Sequence, residues 1–175
     1  MIVYLFQPHQ AGHQLTYGTD VTLRHLAGQP QAPTWVPPEV ELLSEEGRTE
    51  YQSFDTVYLN GDFLVVKDTA LPRVVAELTP SCELLPLRCA QEPLTLVNVL
   101  QVVDALDEDG SDIKRFASSG RIMAVNRYVF RPQAVPSDGL FRVPQSPGRM
   151  FCTQVTADVL RDRLSGLDLQ PVWEG

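Results

Sequence analysis

Five carboxylates lie close together in the segment LTLVNVLQVVDALDEDGSD, residues 94–112. The segment begins as an apolar, strand-like run and contains no lysine or arginine. Like charges at this density repel one another unless water and salt screen them, so the cluster favours a cationic partner. The alternative is a solvated turn beside a strand, which is what most charge runs are. The candidate partner-binding acids here are Asp104, Asp107, Glu108, Asp109 and Asp112.

A second acidic segment covers residues 39–62, with seven acids against Arg48. Its acids are interleaved with aromatic residues, a composition typical of protein interfaces, where aromatics anchor and carboxylates steer. The alternative is that these aromatics, Trp35, Tyr51, Phe54 and Tyr58, fill the core. The candidate partner-binding residues of this segment are Glu45, Glu46, Glu50 and Tyr51.

The other patterns of reactive residues do not predict catalysis or metal binding. His9 and His13 have the spacing of helical metal ligands, but Pro8 and Gly12 interrupt the segment. The acidic turn lacks a calcium-loop register, because no bidentate Glu follows six residues after Gly110. No serine lies in a nucleophile elbow and no cysteine in a catalytic signature beside a histidine. We therefore expect no catalytic residue, no metal and no cofactor, and predict that the protein is not an enzyme.

Net charge narrows the range of partners. The 175 residues carry a formal charge of −8, which disfavours nucleic acid and anionic membranes. The charge is uneven, because residues 113–165 carry nine bases against three acids.

The cysteines and the N-terminus predict a cellular location. The cysteines are odd in number, Cys82, Cys89 and Cys152, which indicates reduced thiols rather than a disulfide framework. The N-terminal apolar run is too short for a signal peptide or a membrane span, so a cytoplasmic location is expected.

Two helices are predicted to cover a sheet. The first follows the caps Asp68 and Thr69 and buries one apolar stripe, formed by Leu71, Val74, Val75 and Leu78. In the second, Thr156 is the cap, Val155 and Leu160 form a hydrophobic staple, and Gly166 gives the left-handed exit. Val159, Leu160 and Leu164 are expected to face the core.

The strand pattern predicts an α+β fold with a mainly antiparallel sheet and a few packed helices. A short turn at Asn126 is expected between two of the strands, and residues 44–53 are expected to form a polar loop. We divide the chain into an N-terminal region, 1–59, that belongs to the same fold, and a core, 60–175. Strands are predicted at 2–6, 17–25, 39–43, 82–87, 96–103, 121–124, 128–131, 140–143, 150–153 and 169–173.

The order of features from residue 60 onward resembles the immunity protein 11 family of bacterial polymorphic toxin systems. The pieces that carry the resemblance lie between Asp62 and Glu174, about two thirds of the chain. Residues 1–59 match only loosely. The matching pieces are the Asp62-Phe63 pair, the strand with Glu83, the segment from Leu106-Asp107 to Ser111, the Phe141-Arg142 pair, and a closing helix and strand that end near Trp173.

The resemblance implies a non-catalytic immunity protein that binds and neutralises a cognate bacterial toxin. The acidic character of the chain predicts a basic toxin. Two alternatives from other classes stay open: a small-molecule or signalling-protein binding module, which requires an apolar pocket, and a small carboxylate-based hydrolase, which requires two acids facing each other in a cleft. The sequence does not determine the oligomeric state, the toxin or how the toxin is blocked.

Overall fold

The computed structural model describes residues 1–17, 26, 28–43, 45–46, 49–59 and 63–175. Within these residues the chain is mostly strand, with few helices. The predicted 2–6, 39–43, 82–87 and 140–143 strands are all present, and the predicted 17–25 strand lies outside the described residues after position 17. The strands are β1 (Ile2–Gln7), β2 (Gln14–Tyr17), β3 (Glu39–Leu43), β4 (Glu45–Glu46), β5 (Thr49–Glu50), β6 (Thr56–Leu59), β7 (Phe63–Lys67), β8 (Cys82–Cys89), β9 (Leu94–Val99), β10 (Asp112–Arg115), β11 (Ile122–Arg127), β12 (Leu140–Val143), β13 (Ser146–Thr153) and β14 (Asp168–Glu174).

Six strands close into a barrel in the order β2-β3-β8-β9-β7-β6. Two of its junctions, β2 with β6 and β3 with β8, are parallel, and the others are antiparallel. The strands β6 and β7 were not predicted, because their residues do not alternate between apolar and polar. All four residues of β6 and the first four of β7 are buried, since one face of these strands lines the barrel interior and the other packs against the neighbouring sheet.

A second sheet of four antiparallel strands has the order β12-β13-β1-β14. Alternate residues of β1 enter different clusters: Tyr4 and Phe6 pack toward the barrel, while Val3 and Leu5 pack on the opposite face. The N-terminal strand β1 therefore lies inside the sheet that the C-terminal half builds. The division at residue 59 stays a prediction.

The first helix is much shorter than predicted. A 3₁₀ turn, Leu71–Arg73, precedes the four-residue helix α1, Val75–Leu78. Val74 interrupts the helix with φ −130° and ψ −2°. Pro72 lies in the 3₁₀ turn, where its lack of an N–H is tolerated. Within the predicted stripe, Val74 and Leu78 are fully buried but Val75 is exposed.

The second helix, α2, runs from Gln154 to Arg163, and the predicted cap was wrong. Thr153, not Thr156, is the N-cap residue, and Thr156 lies inside the helix, where its hydroxyl accepts a hydrogen bond from Gly139 N–H at 2.8 Å. Val155 is 62% exposed, so the predicted staple does not form. Leu160 and Leu164 are buried as expected.

The predicted strand boundaries between residues 96 and 131 were also wrong. The strand expected at 96–103 is β9, which ends at Val99. No turn occurs at Asn126, because β11 is one continuous strand to Arg127 that pairs with the unpredicted strand β10. Tyr128 and Phe130, expected in a further strand, instead turn inward and join the aromatic cluster of Phe141 and Phe151. The expected polar loop at 44–53 contains the small hairpin β4-β5.

The expected fold class is confirmed in its coarse form, since strands predominate and helices are few. The finer arrangement differs, because a barrel with mixed pairing accompanies the antiparallel sheet. Among the described helices, none is long and apolar enough to cross a membrane.

Gly166 is the predicted left-handed exit after α2, and its φ of +83° confirms that conformation. We expect Gly166→Ala to lower the free energy of unfolding by about 2–5 kcal/mol, because it combines left-handed strain with overpacking. An added Cβ would overlap Phe54 and lie 2.9 Å from Thr56 Oγ1. Gly120 is the matched control: its φ is +67°, but an added Cβ there meets nothing within 4 Å. Gly120→Ala should cost about 1–2 kcal/mol. Equal losses for the two variants in urea denaturation would contradict this packing.

Candidate functional site

The acidic turn, residues 104–112, is held between the four-stranded sheet and the segment that follows β11. Val103 N–H donates to Arg142 O at 2.9 Å, and Asp107 N–H donates to Val129 O at 2.8 Å. Ala105 and Leu106 are fully buried beneath the turn. The turn is therefore anchored by backbone pairing on both sides and by its own apolar residues.

Asp104 lies at the start of the turn and is paired within the chain. Its carboxylate is 3.0 Å from the Arg131 guanidinium and accepts a hydrogen bond from Gln145 Nε2 at 3.3 Å. Arg131 also donates to the Asp104 carbonyl oxygen. The Gln145 amide and then Arg131 hold the pKa of Asp104 below its ordinary value. Asp104 is thus already paired with a cation, Arg131, although no lysine or arginine lies near it in the sequence.

Glu108 is the second acid of the turn with an internal cation. Its carboxylate lies 2.6 Å from the Arg115 guanidinium of β10. The amide of Gln145 also donates to Glu108 Oε1 at 3.0 Å, so one side chain bridges Asp104 and Glu108. The basic block 113–165 is evident in the sequence, but the pairing of the turn with Arg115, Arg131 and Gln145 was not predicted. The one feature of the sequence that points to this pairing is that the basic segment directly follows the acidic one.

The other three acids differ in how they are used. Asp107 stabilises the turn itself, because its carboxylate accepts Gly110 N–H at 3.2 Å and its carbonyl accepts the Ser111 hydroxyl at 2.5 Å. Asp112 is exposed and accepts an amide hydrogen bond from Asn126 at 3.2 Å. Asp109 is exposed and has no ion pair or hydrogen bond to another described residue. Asp109 and Asp112 are therefore the acids most open to a partner.

The second acidic segment contains the hairpin β4-β5, whose backbone register places position 45 opposite 50 and position 46 opposite 49. Glu50 is exposed, while the side chains of Glu45 and Glu46 lie outside the described residues. Tyr51 is 9% exposed, and its ring centroid lies 6.4 Å from that of His13. Tyr51 thus offers little surface to a partner in this conformation.

The other aromatic residues considered together with that segment also have partners within the fold. Tyr58 is 3% exposed, and Phe54 makes an edge contact with the His9 ring at 4.7 Å between centroids. Trp35 is half-buried and donates from Nε1 to Pro86 O at 2.8 Å. His13 Nδ1 is hydrogen-bonded to Leu43 O at 2.8 Å. No group of three His, Cys, Asp or Glu side chains among the described residues has the arrangement of metal ligands.

Two acids, Glu77 and Asp138, line one cavity of about 330 Å³ between α1 and α2. This is the kind of cleft that the hydrolase alternative requires. Glu77 Oε1 is ion-paired with Arg163 at 2.5 Å, however, and Arg163 also donates to Arg73 O. The arrangement is thus that of a salt bridge between the helices.

The three cysteines are free thiols. Burial raises the pKa of Cys152 to about 12 and that of Cys82 to about 11. Both thiols therefore stay protonated at neutral pH and are poor nucleophiles.

Arg142 is fully buried, which was not predicted from the sequence. This residue lies in the apolar strand β12, and its guanidinium stands 5.8 Å from the ring centroid of Phe63 and donates to Pro147 O at 2.6 Å. Phe63 and Arg142 belong to the two residue pairs that carried the family resemblance, and the structure brings them into contact. Asp62, the other member of the first pair, lies outside the described residues. The feature of the sequence that points to a buried charge is the arginine within the otherwise apolar run LFRV.

The described residues thus form an ordered, charged loop surface, which is typical of a protein-binding module. The comparison with known families gives one match, which covers part of the chain. Residues 90–174 match the Immunity protein family (Imm11), which confirms the family predicted from the sequence over that range. The match begins just before β9 and includes the acidic turn, the β10-β11 hairpin and β12 to β14. Phe63 and Glu83 lie before the matched range. No curated protein matches the chain.

We expect Arg131→Gln to raise the pKa of Asp104 toward the ordinary carboxyl value, because the variant removes an ion pair. The folded-state pKa is lowered, so the stabilisation is present above the unfolded-state pKa and is lost as the pH falls through the folded value. NMR titration of the Asp104 carboxyl carbon measures the change. Arg88→Gln is the control, since Arg88 lies 3.9 Å from Glu39 on the barrel. An Asp104 pKa that Arg131→Gln leaves unchanged would contradict the pairing.

Proposed function

We propose that the protein is an immunity protein that binds a cognate bacterial toxin and neutralises it without catalysis. The observation that carries the proposal is the family match over residues 90–174. This range contains the whole acidic turn and the hairpin that follows it. The part of the chain that resembles immunity proteins is therefore the part that presents the charged surface.

The toxin surface that fits the acidic turn is basic. Toxins that cleave nucleic acid or act on membranes bind polyanions, and an acidic inhibitor can imitate such a target. The chain has a formal charge of −8, so its field attracts a basic protein over a long range. Attraction of this kind acts mainly on the association rate, and buried contacts then set the lifetime of the complex.

The internal pairs of the turn refine this proposal. Arg131 and Arg115 neutralise Asp104 and Glu108 and hold their carboxylates in fixed positions. Three acids of the turn have no cation among the described residues, and two of them, Asp109 and Asp112, are exposed to solvent. We infer that these two acids meet the toxin first. The backbone pairing that fixes the turn reduces the entropy lost on binding.

Co-expression tests the proposed function directly. The toxin domain encoded beside this protein's gene should stop growth when expressed alone and should be tolerated when this protein is co-expressed. A catalytically disabled form of the same domain should co-purify with this protein at a defined ratio. Growth arrest that persists in the presence of the folded protein, together with no complex, would reject the proposal for that pair.

Charge neutralisation tests the surface. Asp109→Asn with Asp112→Asn removes charge while it keeps side-chain size, so the association rate should fall about 10-fold at low salt, and the difference should shrink above about 0.3 M salt. The matched control is Asp158→Asn with Asp162→Asn, two exposed acids on α2. Glu50→Gln tests the second acidic segment separately. An association rate in stopped flow that responds to the α2 acids but not to Asp109 and Asp112 would place the toxin elsewhere.

A further inference from the structure

The hairpin of β10 and β11 forms an arm, which we define as residues 113–127. Its two strands pair with each other in a separate two-stranded sheet. At its base, Ile113 and Val125 are paired and pack against the aromatic cluster of the four-stranded sheet. Toward the tip, Phe116 and Met123 are each 45% exposed. Both exposed apolar side chains lie on one paired hairpin, within the range that matches the immunity protein family.

The arm has the opposite charge to the whole chain. It carries Lys114, Arg115, Arg121 and Arg127 and no acid, while the chain has a formal charge of −8. Arg115 is paired with Glu108, and Arg127 donates to Gly110 O at 2.9 Å. The side chains of Lys114 and Arg121 make no ion pair or hydrogen bond with the described residues. Two cations near the tip are thus available.

The backbone presents the apolar residues in fixed positions. Phe116 N–H donates to Arg121 O at 2.9 Å, and Phe116 O accepts Gly120 N–H at 2.8 Å, so the turn that bears the exposed ring is closed. Lys114 of β10 pairs with Ala124 of β11, and Arg115 pairs with Ile122. Met123 is therefore the extra residue of a β-bulge in β11. Bulges redirect a side chain and interrupt a strand edge. An ordered apolar tip loses little entropy on binding.

We propose that the arm is a docking element that inserts Phe116 and Met123 into an apolar pocket on the toxin, with Lys114 and Arg121 pairing to acidic groups on the pocket rim. This inference rests on the proposed function. The 2.6 Å pair of Glu108 with Arg115 ties the arm to the acidic turn. The toxin face that fits both elements therefore has a basic patch beside an apolar pocket with an acidic rim.

Two other occupants fit the arm less well. A second copy of the chain that met the arm across a two-fold axis would bring Lys114 and Arg121 against their own symmetry mates, and these like charges repel. Single-stranded nucleic acid is repelled by the formal charge of −8 on the whole chain. Stacking of successive bases also uses several aromatic faces. Phe116 is the exposed aromatic of the arm, and the two aromatics that follow β11, Tyr128 and Phe130, are 8% and 2% exposed.

The test compares two pairs of exposed apolar residues in the full chain. Phe116→Ser with Met123→Ser should raise the Kd for the catalytically disabled toxin domain at least about 10-fold, because buried aromatic anchors dominate interface energies. The control is Val36→Ser with Val155→Ser, which are 74% and 62% exposed outside the arm. The control should leave the Kd unchanged, and both variants should keep the wild-type melting temperature.

Charge reversal gives a second, independent readout. Lys114→Glu with Arg121→Glu should slow association about 10-fold at low salt, with a smaller difference at high salt. Arg88→Glu is the control, as an exposed arginine of the barrel. A wild-type complex that neither arm variant weakens would overturn the arm proposal and leave the proposed function intact. No complex with wild-type protein would overturn both. Self-association that the arm variants abolish without a change in toxin affinity would assign the arm to a second copy and also overturn the proposal.

Discussion

A fully buried arginine charge lies where the barrel meets the four-stranded sheet. Removing a guanidinium from water costs several kcal/mol, so the surrounding groups must be arranged to compensate it. Arg142 faces the Phe63 ring of the barrel and donates to Pro147 O. Its backbone N–H donates to Gln101 O, and its carbonyl accepts Val103 N–H. The same residue therefore joins the two sheets and fixes the segment that leads directly into the acidic turn.

The turn shows how charge in sequence differs from charge in space. Along the chain, residues 94–112 contain five acids and no lysine or arginine. In the fold, Arg131 and Arg115 return to two of those acids, and Gln145 bridges the pair. The paired charges of this surface thus hold the turn in one conformation, and the unpaired charges produce the long-range electric field. Because the adjoining arm is positively charged, the surface has an acidic part and a basic part.

The sequence predicted some elements well because their signals are local. The left-handed exit at Gly166 and the buried positions Leu160 and Leu164 followed from residue type and spacing. The strands β6 and β7 did not, since burial on both faces removes the alternation that identifies a strand. Tyr128 and Phe130 were wrongly assigned to a strand. Their actual position, turned toward the core, depends on residues distant in the chain and so is not visible in the local pattern. The cations of the acidic turn were missed for the same reason, as Arg131 reaches Asp104 only through the tertiary fold.

The central position of β1 has a consequence for the order of events during synthesis. Val3 pairs with Thr153 on one side and with Trp173 on the other, so β1 must wait for two strands that are made much later in synthesis. At about 5–20 residues per second, roughly 150 residues of translation take about 10–30 s. Contacts this distant in sequence also slow folding itself. Until β13 and β14 emerge, β1 has no partner strand in its sheet, and its unpaired edges expose the nascent chain to aggregation.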